Sequence, residues 1–320
     1  MHFTDESMLF ISEYLQAALL KEDKVSIEVL NPDLAQGVYA GNVYRVNEID
    51  YIYRGYKAWN DLAQSLFCRL LTPLALDETR IKLSFEKLNL ASSFHKSEAG
   101  SEKYGTQSPF FDIHKNEEPA FLLPYKQALQ KVKIEKRKKV LDLGVNSGGE
   151  FALIKALLSE AVYKEIGFTG IDYSASAIAY AKEKFPEENV NFIEHDINHL
   201  DSLNLGRFDL IISIGTFQSP NINFKPFFMS LVQNYLNEEG ALILGFPNCR
   251  WMGGEMIYGA KVPNYAYSEM GMLFSDVMYC KKYLQQKKFR VTLTGKDYVF
   301  LTATKISKAT RKDEKHEKNV

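Results

Sequence analysis

The chain is short of the features that mark most specialised protein classes. It has 3 cysteines in 320 residues, and Cys68, Cys249 and Cys280 show no paired spacing, which argues against a disulfide framework or a structural zinc site and suits a reducing compartment. No apolar run approaches the roughly 18 residues of a membrane span. The first twenty residues carry Asp5, Glu6 and Glu13 where a secretory signal needs positive charge. The expectation is a cytoplasmic protein with no membrane partner and no resident metal. Net charge is also close to absent, at −1. That balance hides an uneven spread: residues 1–135 carry 15 basic and 19 acidic side chains, 136–224 carry 9 and 12, and 225–320 carry 15 and 9. Two basic clusters stand out, KRKK at 136–139 and the group Lys281, Lys282, Lys287, Lys288 and Arg290. Both read first as solvated faces, with a nucleic-acid surface as the alternative. There are no internal repeats. With 46% hydrophobic and 25% charged residues, the composition is that of an ordinary globular protein with ample core for one large domain or two.

The most informative stretch is VLDLGVNSGGE at 140–150. An apolar strand carries Asp142 and breaks into a turn holding Gly144, Gly148 and Gly149, and a helical pattern (Phe151, Leu153, Ile154, Leu157, Leu158) follows at once. A glycine turn between strand and helix lets backbone N–H groups and a helix N-terminus approach a ligand closely. A dinucleotide-binding fingerprint would need a glycine where Asn146 stands, and an acid about 20 residues on, nearer than Asp172. An acid within the first strand followed by a looser glycine turn fits a second class of nucleotide site better.

The order of elements supports that choice independently. Strand-like runs fall at 140–143, 168–172, 191–194, 208–214, 241–246, 290–294 and 298–303, with helices expected at 150–161, 175–184, 224–236 and 270–286. Near-continuous apolar strands joined by amphipathic helices imply a parallel sheet covered on both faces. The last two strands have only Gly295, Lys296 and Asp297 between them. That is too short for a crossover, so they form a hairpin and one strand runs antiparallel.

Together these residues resemble the class I S-adenosylmethionine-dependent methyltransferases. The fold implied is α/β, a seven-stranded mostly parallel sheet with a terminal antiparallel hairpin, preceded by an α+β N-terminal extension. The domains expected are the extension at 1–90, a connecting or lid segment at 91–135, the methyltransferase domain at 136–305 and a polar, disordered tail at 306–320. The resemblance implies S-adenosyl-L-methionine as cofactor, its methionine end held by Asp142, Gly144, Asn146 and Gly148. Asn146 and Val145 depart from the family, which has a small residue and then glycine there; asparagine tolerates positive φ better than other residues. Asp172 is in the position that takes the ribose hydroxyls, with Tyr173 beside the adenine. Asp196 resembles the residue that accepts from the adenine amino group, and Ile197 is placed to pack on that ring. For Asp172 the bland alternative is a helix N-terminal acid, and for Asp196 a turn residue. His195 and His199 match no metal-ligand spacing and read as satisfied surface histidines.

In this fold the end of the fourth strand faces the methyl group, here Gly215, which the resemblance places with the cofactor-binding residues, and then Thr216, Gln218 and Ser219. The Asn/Asp-Pro-Pro-Tyr tetrapeptide of base-amine and glutamine methylation is absent. Asn248 and Trp251 leave the fifth strand at the same rim, followed by Tyr258, Tyr265 and Tyr267 among glycines. This arrangement suits either a stacking pocket or a packed loop. Cys249 reads as a packed thiol rather than a nucleophile. Ahead of the first strand, Tyr104, Phe110 and Phe111 are candidate lid aromatics and His114 the best general base by residue type; a linker anchored by its aromatics is the alternative. Candidate catalytic residues are therefore His114, Gln218 and Tyr258, and candidate substrate contacts Tyr104, Phe110, Phe111, Thr216, Ser219, Asn248 and Trp251. The reading is methyl transfer to an O or N atom of a small molecule. RNA methylation, with phosphate contacts near Lys281–Arg290, is the alternative, and a non-catalytic scaffold of the same fold is the competitor from another class.

Overall fold

The computed structural model describes residues 1–34, 37–89, 101–259 and 270–306. Most of the expected tail, the last residue of the expected extension, residues 91–100 of the connecting segment, and Tyr265 and Tyr267 lie outside them. The chain divides into two compact units: Met1–Ser93 with Trp251–Tyr258, and Phe94–Arg250 with Gly259–Val320.

The first unit starts with helix α1 (Met8–Leu19), whose first turn is closed by Ser7 accepting from the Phe10 N–H. Strand β1 (Lys24–Leu30) follows, then the hairpin β2 (Val43–Val46) and β3 (Ile49–Ile52). Asn47 and Glu48 form that hairpin's turn with φ of 49° and 63°, both left-handed as a two-residue turn of this hand requires. Helix α2 (Tyr56–Ser65), strand β4 (Cys68–Leu70), the short β5 (Leu74–Ala75) and β6 (Arg80–Lys87) complete the run. Strand β6 lies between β1 and β4, antiparallel to both. Ile11 and Leu15 of α1, Trp59 and Ala63 of α2, and the alternating Val25, Ile27, Val29, Ile81, Leu83 and Phe85 make one core. Residues 56–71 read as one helix in the sequence, yet the helix stops at Ser65. Phe67 takes φ 53° and Cys68–Leu70 pairs with β6 instead, because a sheet partner is available to a segment that the helical pattern alone left apolar. Residues Trp251–Tyr258 also belong to this unit, where Met252 and Ile257 pack with Leu88 and Phe67.

The second unit holds α3 (Pro119–Lys131), β7 (Lys139–Leu143), α4 (Gly149–Leu157), α5 (Glu160–Lys164), β8 (Gly167–Asp172), α6 (Ala175–Lys184), β9 (Val190–Glu194), β10 (Phe208–Ile214), α7 (Phe224–Ser230) and β11 (Leu236–Pro247). The hairpin β12 (Cys249–Met252) and β13 (Glu255–Tyr258) follows in the chain, its residues Trp251–Tyr258 counted with the first unit, and then come α8 (Met270–Gln286), β14 (Phe289–Thr294) and β15 (Tyr298–Lys305). The sheet order is β14-β15-β11-β10-β7-β8-β9, parallel except for β15, which is antiparallel to both β11 and β14. This is the seven-stranded sheet with an antiparallel terminal hairpin that the sequence implied. Strands β7 and β10 are neighbours although helices and two strands separate them in the chain. The crevice at their carboxyl ends is where such sheets bind ligands.

Three elements differ from the sequence pattern. The helix expected over 150–161 ends at Leu157, and Ser159 starts α5 by accepting from the Val162 N–H. The helix expected over 224–236 passes into one wide π turn, Leu231–Tyr235, which keeps Leu231, Val232 and Leu236 all buried as β11 begins. Helix α3 begins at Pro119, ahead of the run 125–132 that reads as a helix in the sequence, because proline suits a first helical position. Its Phe121 and Tyr125 pack on Phe300 of β15, with ring centroids 5.6 and 5.8 Å apart. Two aromatics buried in this way contribute about 1.5–3 kcal/mol each, which fixes the segment ahead of β7 onto the sheet.

Candidate active site

Strand β7 ends with Asp142 buried at 1% exposure and neither carboxylate oxygen hydrogen-bonded. Burial, with Glu150 nearby, raises its pKa well above the usual carboxylate range, and Lys115 works the other way. The turn that follows needs its glycines. Gly144 has φ 76°, and a Cβ there would collide with the Thr216 hydroxyl; Gly148 has φ 76°, and a Cβ would lie 2.6 Å from the Phe185 ring. Asn146 stands between them at φ 46°, and its amide N–H donates to Asp172 Oδ2 at 2.9 Å. Thr216 from the end of β10 donates to Leu143 O at 2.9 Å, so the fourth strand's loop is tied to the first strand's turn.

Asp172 closes β8 in a different environment. Its other oxygen accepts from the Ser174 N–H at 3.0 Å. Burial raises its pKa, opposed by the N–H groups of Ser174, Asn146 and Tyr173. Each carboxylate oxygen keeps a lone pair for a further donor. Tyr173, 40% exposed, is next to it. Asp196 caps the loop after β9 by accepting from the Asn198 N–H at 2.9 Å, while Ile197 is buried in the core with Leu200 and Phe217. His195 is within 2.9 Å of His199 O and 3.0 Å of Ser202 Oγ, a satisfied side chain. Among the described residues no group of His, Cys, Asp and Glu could hold a metal.

The segment before α3 runs along this rim as a strap. Its Tyr104 O accepts from Asn146 Nδ2 at 2.7 Å, and the Tyr104 ring meets Phe110 edge-on at 5.0 Å. Burial raises the Tyr104 pKa, with the Tyr173 and Asp172 charges adding to it. Phe111 instead packs on Tyr180 of α6 at 5.0 Å. Phe110, His114, Lys115, Asn146, Ser147 and Glu150 are among the residues lining a cavity of about 210 Å³. Lys115 pairs with the buried Glu150 at 3.0 Å, and Asn116 Nδ2 donates to Gly149 O at 2.8 Å.

The sequence-predicted residues thus divide. Asp142, Gly144, Asn146, Gly148, Asp172, Tyr173 and Thr216 gather at the strand ends, with Tyr104, Phe110 and His114 brought to them. Gly215 has φ 78° and donates to Gly245 O at 2.8 Å. Gln218 is exposed and Ser219 N–H closes the loop onto Thr216 O at 3.0 Å. Asn248 is buried and spends its side-chain N–H on Lys296 O at 2.9 Å, a tie to the β14–β15 turn. Burial pushes the Cys249 thiol up to about 12, which suits a packed thiol. Trp251 and Tyr258 belong to the N-terminal unit. Glu102, Lys115, Asn116 and Glu150 were not singled out in the sequence. Glu150 alone had a local signal, as the first-turn acid behind the glycines.

This donor set fits a nucleoside carrying a cationic amino-acid end. A buried carboxylate without partners precedes a turn whose positions 144 and 148 have no room for a side chain, and a second carboxylate one strand away has free lone pairs. Residues 134–292 match a family model described as a methyltransferase domain. No curated protein matches the chain. Among solved structures, a SAM-dependent methyltransferase from Aquifex aeolicus is 16% identical, covering 65% of this chain and 100% of that one with a TM-score of 0.43. TehB from Haemophilus influenzae is 17% identical, covering 72% of each chain with a TM-score of 0.39. Ribosomal protein L11 methylase from Lactobacillus delbrueckii subsp. bulgaricus is 13% identical, covering 57% and 77% with a TM-score of 0.37. At these scores the family model, not the likenesses, identifies the domain.

Proposed function

Residues 134–292 form a class I S-adenosylmethionine-dependent methyltransferase domain, and from that premise we propose that the chain methylates an O or N atom of a small-molecule acceptor. The observation that supports the cofactor part of this reading is the pairing of an unpartnered Asp142 with a turn kept tight at Gly144 and Gly148 and a half-engaged Asp172 at adjacent strand ends. When bound, S-adenosylmethionine supplies a methyl group already activated on a sulfonium.

The protein's own residues then have a limited task. Asp142 offers its unmatched carboxylate to a cationic group, Asp172 accepts from vicinal hydroxyls, and Tyr173 offers a ring face to a base. In-line displacement needs alignment and exclusion of water more than strong acid–base groups. The cavity of about 210 Å³ beneath the strap is of a size for a small acceptor, and Phe110 gives it an apolar wall. His114 at its lining is the candidate to take the acceptor's proton. Cytoplasmic residence is part of the same proposal.

One observation favours RNA as the alternative acceptor. Lys282, Lys287, Lys288 and Arg290 are all exposed where α8 turns into β14. Phosphate contacts there would make binding fall steeply with salt.

Isothermal titration with S-adenosylmethionine and S-adenosylhomocysteine, in parent and Asp172→Ala protein, is the test. Micromolar binding abolished in the variant supports the cofactor assignment. A well-folded parent that binds neither ligand overturns it. A following acceptor screen at two salt concentrations separates small molecules from RNA.

A further inference from the structure

Asn146 is where this chain departs from its family's glycine, and its side chain bonds both within the turn and outside it. Its Oδ1 accepts from the Ser147 N–H at 2.8 Å, and its Nδ2 donates to Tyr104 O at 2.7 Å. A glycine would supply the φ of 46° but neither bond.

The strap it holds is anchored at both ends to helix starts. Glu102 accepts from Ser174 Oγ at 3.2 Å and from Ser176 Oγ, and these serine contacts keep its pKa low. The Thr106 N–H donates to Ser176 Oγ at 3.0 Å. At the far end Lys115 and Asn116 grip Glu150 and Gly149 of α4. Between these anchors Tyr104 is half-buried against Phe110 and close enough to Asp172 and Tyr173 for their charges to raise its pKa. The same Asn146 gives its backbone N–H to Asp172. One residue therefore joins the carboxylate assigned to the ribose, the glycine turn and the strap.

We propose that Asn146 is a positioning residue that latches the strap over the cofactor site, so that the strap's release sets how long the cofactor stays bound. This rests on the cofactor reading above. A turn with glycine at this position binds through its backbone alone; here the turn also reports its geometry to the segment that lines the acceptor cavity.

Two substitutions isolate the bond. Asn146→Gly keeps the positive φ and the N–H to Asp172 and removes the latch. Asn146→Asp keeps the acceptor for Ser147 and replaces the Nδ2 donor with an oxygen facing the Tyr104 carbonyl. Hydrogen exchange of amides 102–110 in the full chain, and stopped-flow release of S-adenosylhomocysteine, are the readouts. Both variants are expected to exchange these amides and release the ligand about fivefold faster, the weight of one side-chain hydrogen bond, while β7 amides exchange as in the parent. A parent that binds no S-adenosylhomocysteine overturns the proposal together with the cofactor reading. A parent that binds, with variants matching it in exchange and release, overturns the latch alone.

Discussion

In the N-terminal unit, buried polar side chains mostly find partners. Arg54 donates to Glu6 O at 2.5 Å, the Trp59 indole N–H to Arg54 O at 3.2 Å, and Ser26 and Ser84 share a hydrogen bond of 2.8 Å across β1 and β6. Among the described residues of that unit, only His2 Nε2 is buried without a partner. The sheet unit leaves both oxygens of Asp142 buried and unmatched, together with the Tyr125 and Tyr163 hydroxyls, Glu187 Oε2, Asn248 Oδ1 and the Thr294 and Thr302 hydroxyls. An unmatched buried polar group costs free energy that a purely structural core avoids. At Asp142 that cost is located beside a glycine turn and a second carboxylate, which is where we propose that the cofactor binds.

The comparison can be broken most forcefully from the stable side. Trp59→Ala, at 1% exposure, is expected to cost about 3–5 kcal/mol, seen as an early thermal transition. S-adenosylhomocysteine affinity measured below that transition should stay within about twofold, as for uncoupled sites. A collapse of affinity would show that the units are not separate in function. Asp172→Ala comes next. It removes a carboxylate that bonds two backbone N–H groups and the proposed ribose hydroxyls, and titration should read an affinity about 100-fold lower or worse.

Gly144→Ala is expected to cost about 1–3 kcal/mol in thermal stability, because it combines φ 76° with a collision at Thr216. Gly149→Ala, with no atom within 4 Å of the added carbon, should stay within about 0.5 kcal/mol; equal effects would deny the turn its tight geometry. The smallest effect concerns Asp142, whose pKa is raised by burial and by Glu150. A carboxyl with a raised folded pKa favours folding while protonated. Its contribution is lost as pH rises from the unfolded value through the raised one. Ligand-free Asp142→Asn should therefore melt a few degrees higher than the parent at pH 7.5 and level with it near pH 4, while binding S-adenosylhomocysteine more weakly. A variant that melts lower at pH 7.5 would remove Asp142 from the comparison.

Legibility in the sequence followed the range of the interactions. Helices α6 and α8 were read to their ends, because amphipathic periodicity is local. The ends of α2, α4 and α7 were not, because a sheet partner at Cys68–Leu70, a serine cap at Ser159 and a π turn at Leu231–Tyr235 decided them. In the site, Asp142, Gly144 and Asp172 were legible from strand-end position. Lys115, Asn116 and Glu102 were not, since their partners lie 35, 33 and 72 or 74 residues away and no pattern in either segment announces the other. Trp251 and Tyr258 belong to the other compact unit, a membership that no local pattern announces.

The sequence by itself determined the alternation of strands and helices, the antiparallel final hairpin and the acid-then-glycine turn. These depend on periodicity, loop length and residue type within a few positions. Only the tertiary structure decided that β7 and β10 are neighbours, that Asp142 is buried without a partner and that Asn146 grips the strap at Tyr104. Those facts arise where distant segments meet, and desolvation and hydrogen-bond satisfaction are properties of that meeting rather than of any one segment.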